Sequence, residues 1–90
     1  MISREKLKEA RQNIIEDLGK EILHDVQEQQ ISRLRADPDC DPNAAGFHLG
    51  SVPPVAVVKW LRCMAEDRDY ILDVHPDTRN VSAILTLKDK

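Results

Sequence analysis

The chain has 90 residues, 41% of them hydrophobic, a formal net charge of −3, and three aromatic side chains, Phe47, Trp60 and Tyr70. Seven Lys/Arg balance seven Asp/Glu in residues 1–36, six balance six in residues 53–90, and the whole net charge lies in Asp37, Asp39 and Asp41. Two neutral halves around an acidic centre argue against a general binder of phosphate backbones, which needs a basic face, and three aromatics are few for a base-stacking platform.

Residues 1–36 are expected to hold one long amphipathic helix running from residue 3. Ser3 is a plausible N-cap, although Lys6 stands where the acid of a capping box would be. No Pro interrupts the segment and its one Gly is Gly19. Leu7, Ile14, Ile15, Leu18, Ile22 and Val26 share a stripe at about 100° per residue. That stripe drifts, because Leu7 to Leu18 and Ile15 to Val26 are both eleven-residue steps, which leans away from a heptad seam. Leu23, Ile31 and Leu34 fall off it, so a bend near Gln27–Gln30 or a second covered surface is expected there. About 32 residues at ~1.5 Å each span ~48 Å, whereas a compact chain of this size has a radius of gyration of only ~12 Å. Such a helix overhangs its own domain. The expectation is therefore a homodimer or a larger protein partner, with Leu7, Ile14, Ile15, Leu18, Ile22 and Val26 as the interface.

Residues 37–52 are an acidic linker by composition, with two Asp-Pro steps, one Asn and two Gly. Asn43–Phe47 could make a helical turn and Phe47-His48-Leu49 a short strand. Asp37-x-Asp39-x-Asp41 resembles the opening of a calcium loop, but Pro42 and His48 stand where that loop needs Gly and Glu. A solvated acidic turn is the expected reading.

Residues 53–90 are expected to form a second helix and a hairpin. Residues 53–68 read as the helix, with Ser51 a candidate cap and Pro53-Pro54 opening it. Val55, Val57, Val58, Trp60, Leu61, Cys63, Met64 and Ala65 cover more than half its circumference, which predicts a helix buried on two sides. Residues 70–87 alternate as a β-hairpin turning at Pro76-Asp77-Thr78-Arg79. Setting Val74 against Val81 puts Leu72 opposite Ala83 and Tyr70 opposite Leu85, with Ile71 opposite Ile84 on the other face. A lone hairpin is marginal in water and needs cover. The expected class is thus α+β: a long N-terminal helix, an acidic linker, a second buried helix and a C-terminal antiparallel β-hairpin.

Little chemistry is written on this frame. Cys40, His48, Cys63 and His75 would be an unusual zinc set, since structural sites bring ligands in close pairs, and Cys63 is expected as a buried thiol. Cys40 lies between two aspartates, an unfavourable setting for a thiolate nucleophile. His24 reads as a surface residue and His75 as a residue of the turn. No phosphate-loop, dinucleotide or nucleophile-elbow pattern is present. No catalytic residue, metal or cofactor is expected. Without an apolar leader, with two free thiols and no ~20-residue apolar run, the expectation is a cytoplasmic protein with no membrane contact. The order helix, helix, hairpin also suggests a winged helix, with Lys59, Arg62 and Arg79 as DNA contacts and Arg33 and Arg35 reinforcing them in a dimer. Small proteins of this balance are frequent among phage and mobile-element products, an association rather than a physical inference. The reading that remains is a non-enzymatic, homodimeric interaction module: an adaptor, an assembly factor or an inhibitor of a larger complex.

Overall fold

The computed structural model describes residues 1–77 and 82–90. In chain order it contains α1 (Arg4–Ala36), β1 (Phe47–Leu49), α2 (Val55–Glu66), β2 (Tyr70–Asp77) and β3 (Ser82–Asp89). The class is the α+β one that the patterning predicts. Its extents are 54 × 32 × 22 Å and its radius of gyration is 15.0 Å, beyond the ~12 Å of a compact chain this long. The excess is α1, whose 33 residues span about 50 Å at ~1.5 Å each.

Local signals account for the ends of α1. Ser3 is the N-cap, its hydroxyl oxygen accepting from the Lys6 N–H at 3.3 Å. At the other end the Asp37 N–H donates to the Arg33 carbonyl. The helix continues unbroken through Gln27–Gln30, so the expected bend is absent, and the alternative, a second covered surface, holds only at Leu23. Leu23 packs against the core, while Ile31 and Leu34 stay exposed.

The strands form one antiparallel sheet in the order β1-β3-β2. The hairpin's third strand therefore comes from the segment read as linker, where Phe47 pairs with Leu85 and Leu49 with Ala83. The register between β2 and β3 differs from the expected one by four residues. Leu72 faces Leu87 rather than Ala83, Val74 faces Leu85, Tyr70 faces Asp89 and Ile71 faces Lys88. An even shift leaves every side chain on its face, and it carries the ladder from Tyr70–Asp89 to Asp77–Ser82. Pro76 and Asp77 accordingly belong to β2, not to the turn. Proline is tolerated there because β2 is an edge strand. The expected turn residues Thr78 and Arg79, and Val81, lie outside the described residues.

Helix α2 starts at Val55, not Pro53, and has no side-chain cap; Ser51 does not serve as one. The Pro54 carbonyl instead accepts from the Val57 and Val58 N–H groups at 3.0 and 3.1 Å. Val57, Leu61 and Ala65 are buried, α2 packs on α1 and on β2, and Val55 and Cys63 are exposed. The apolar arc is therefore wider than the face that is covered, and Cys63 is not the buried thiol that the arc suggests. Asp69, in the left-handed region at φ 62°, reverses the chain between α2 and β2, a conformation Asp adopts more readily than most residues. The core joins Val26 of α1 to Phe47, Leu49, Leu61, Leu72 and Leu85.

Two contacts decide how α1 sits. Gly19 is buried, and a Cβ on it would overlap the Cε3 and Cζ3 atoms of Trp60 on α2. The glycine is thus a docking slot for an indole ring. Further along, α1 holds the 37–46 segment. Arg33 donates to the Pro42 carbonyl at 2.7 Å and to the Gly46 carbonyl, and its guanidinium lies 4.4 Å from the centroid of Phe47. Gln30 donates to Asn43 Oδ1 at 2.8 Å and Gln29 to the His48 carbonyl at 3.3 Å. Gly46, at φ 70°, lets the backbone pass close to Ile84.

These contacts set two expected outcomes. Helix propensity alone favours Gly19→Ala by about 1 kcal/mol, but the overlap with Trp60 reverses the sign, and a net loss of about 1–3 kcal/mol is expected in urea unfolding followed by Trp60 fluorescence. A gain in stability would remove the indole from that slot. Arg33→Ala removes two charged donors and a cation–π contact and is expected to cost about 2 kcal/mol. Arg33→Lys should recover less than half of it, because an ammonium cannot fork to two carbonyls and lie over a ring at once.

Candidate functional site: an exposed apolar stripe on the first helix

The stripe read from the sequence as one interface divides in two. Val26 is only 2% exposed, within the chain's own core, and Ile15 and Ile22 pack against that core. Leu7, Ile14 and Leu18 are exposed by 53%, 57% and 38%. At about 100° per residue, Ile14 points roughly 120° away from Val26. A single drifting stripe thus supplies one face to α2 and the sheet, and a second face to solvent.

Geometry reinforces the split. Every residue from 1 to 14 is exposed, so the first three turns of α1 are only lightly covered by the rest of the molecule. Beneath them, α1 and the start of α2 enclose a groove of about 420 Å³, lined by Leu7, Ala10, Ile14, Leu18, Pro54 and Ala56, with Arg11 at its rim. A smaller groove of about 220 Å³ continues from Leu18 past Glu21 and Asp25 toward Leu49. The open face therefore changes character along its length, apolar with a basic rim first, acidic after.

The other candidate residues do not assemble. Lys59 and Arg62 lie on the open side of α2, and Arg62 reaches Asp73 of β2 at 3.6 Å. Arg79 lies outside the described residues. Arg33 is spent on carbonyls of its own chain, so it is not a free cation for a ligand. Two carboxylates of the acidic segment serve its fold: Asp37 accepts from the Asp39 N–H at 3.1 Å and Asp41 from the Asn43 N–H at 3.0 Å, both Asx turns. Cys40 donates to the Arg33 carbonyl at 3.5 Å. His48 and His75 flank Ile84 on the sheet face turned away from the helices, and His24 pairs with Glu28 at 3.1 Å. Among the described residues no three His, Cys, Asp or Glu side chains are grouped to hold a metal ion, and no helix is long and apolar enough to cross a membrane.

Arg33, Gln29, Gln30 and Gly19 are the working residues that pattern reading passes over. A lone glycine inside a long helical pattern is the one available signal, since it points to a packing reason. No family model matches the chain, and no curated protein or solved structure matches it either.

The split stripe makes two positions on one helix behave differently. Val26→Ala is expected to lower unfolding stability by about 1–3 kcal/mol at every protein concentration. Ile14→Ala should leave the concentration-independent part of the stability within about 0.5 kcal/mol of the parent. Denaturant titrations over a hundredfold concentration range separate the two, and equal losses would mean that Ile14 is also core.

Proposed function

We propose that the chain is a non-enzymatic protein-interaction module that pairs with a second copy of itself through the exposed half of α1, serving as an adaptor, an assembly factor or an inhibitor of a larger complex. One observation carries this reading: Leu7, Ile14 and Leu18 stay open on a helix that outruns its own domain. Contiguous exposed apolar surface marks interaction sites. The groove beneath the stripe is lined mainly by apolar side chains of α1 and the start of α2.

The rival reading is a winged-helix-like regulator contacting DNA through Lys59, Arg62 and Arg79. It has less support. A recognition helix turns a polar, cationic face outward, whereas the open side of α2 carries Val55 and Cys63 as well as Lys59, and Arg62 is turned to Asp73.

Sedimentation distinguishes them. The parent is expected to be a dimer at tens of micromolar, and Ile14→Glu should be a folded monomer, since burying an unpaired carboxylate costs several kcal/mol. A monomeric parent would sink the self-pairing reading. Duplex binding that weakens steeply with salt, and is lost in Lys59→Ala/Arg62→Ala, would favour the rival.

A further inference from the structure

We infer that the two copies of α1 pair antiparallel, crossing at Ile14, so that the basic first turns of one helix lie along the acidic middle of the other. The inference rests on the self-pairing proposed above and adds its direction.

The charges along α1 carry it. Residues 4–11 hold four cations, Arg4, Lys6, Lys8 and Arg11, against two anions, Glu5 and Glu9. Residues 16–28 hold five anions, Glu16, Asp17, Glu21, Asp25 and Glu28, against one cation, Lys20. The helix is therefore a charge dipole with its positive end at the N-terminal tip. Two of the anions sit on the open face itself. At about 100° per residue, Glu21 and Asp25 continue the line of Leu7, Ile14 and Leu18, and both line the groove that runs on from Leu18.

A parallel pair would set the Glu21 and Asp25 carboxylates of one copy against those of the other, in the seam and with no cation between them. Like charges so placed cost stability and misdirect association. An antiparallel pair crossing at Ile14 removes the conflict. Ala10 then faces Leu18 of the partner subunit, a small residue against a large one. Arg4 comes level with Asp25 of the partner subunit, and Arg11 lies about one turn from Glu21 of the partner subunit. Two-fold symmetry doubles each contact. The apolar overlap is centred on Ile14, the most exposed of the three stripe residues.

Paired spin labels measure the direction. In a Cys40→Ser/Cys63→Ser background, a label is placed by Lys6→Cys or by Gln27→Cys, both on exposed positions. With ~1.5 Å rise per residue and helices ~10 Å apart, the antiparallel pair predicts label separations of roughly 25–30 Å and 40 Å respectively, measured by double electron–electron resonance. A parallel pair predicts roughly 10–20 Å at both sites. A dimer with short distances at both sites overturns the antiparallel arrangement and leaves self-pairing intact. A sedimentation monomer with no dipolar modulation overturns both. Charge reversal adds an independent readout: Arg4→Glu/Arg11→Glu should weaken the dimer, and adding Glu21→Lys/Asp25→Lys should restore it. Failure of that restoration counts against the pairing of these ends.

Discussion

The approach of α1 to α2 at Gly19 is the constraint on which the rest of the molecule depends. An indole ring lies where a side chain would otherwise stand, and this fixes both the separation of the helices and the rotation of α1 about its own axis. With that rotation set, Ile15, Ile22 and Val26 turn inward, and Leu7, Ile14 and Leu18 cannot follow them. The exposed stripe is therefore a consequence of how the core is packed, not a set of residues for which the core lacked room. Close-packed interiors tolerate little adjustment, so α1 has no neighbouring rotation that would bury both groups.

The second dependency is the 37–46 segment. Irregular backbone next to a core must find partners for its carbonyls, and here the helix that precedes it supplies them. The Arg33 guanidinium takes two carbonyls and covers the Phe47 ring. Gln29 and Gln30 add one bond each. Pinning this segment is what delivers Phe47–Leu49 to the edge of β3 as a third strand, and a hairpin backed by a third strand and a helix escapes the marginal stability of a hairpin alone. The acidic composition has a local cause of the same kind, since Asp37 and Asp41 close the turns on which the segment is built.

Much of this architecture was legible in the sequence, and the parts that were not share a physical reason. Period alone distinguishes helix from strand, so the long helix, its Ser3 cap, the second helix and the hairpin could all be read. Period also says that a residue belongs on an apolar face, but not which neighbour covers that face. Hence the stripe from Leu7 to Val26 looked like one interface although half of it is core. Facial alternation is likewise blind to an even register shift, which is why Leu72 could be set against Ala83 rather than Leu87. Cys63 was expected inside because the arc it shares is apolar, yet only Val57, Leu61 and Ala65 of that arc are fully covered. The role of Arg33 had no signal, since its acceptors are backbone carbonyls, which every residue has.

One property of α1 follows from the division of its faces. Starting a helix costs far more than lengthening one. The docked turns around Gly19 and Val26 bear the cost of starting, so the lightly covered first turns need only propagate from a formed end. Propagation is near neutral per residue for such a sequence, and the tip is therefore the least stable part of the helix unless its apolar side is covered. Covering Leu7 and Ile14 would then order the tip as well as bury it. Under the proposed self-pairing, association and helix formation at this end of the molecule are one equilibrium, and binding there gives up part of its gain to ordering.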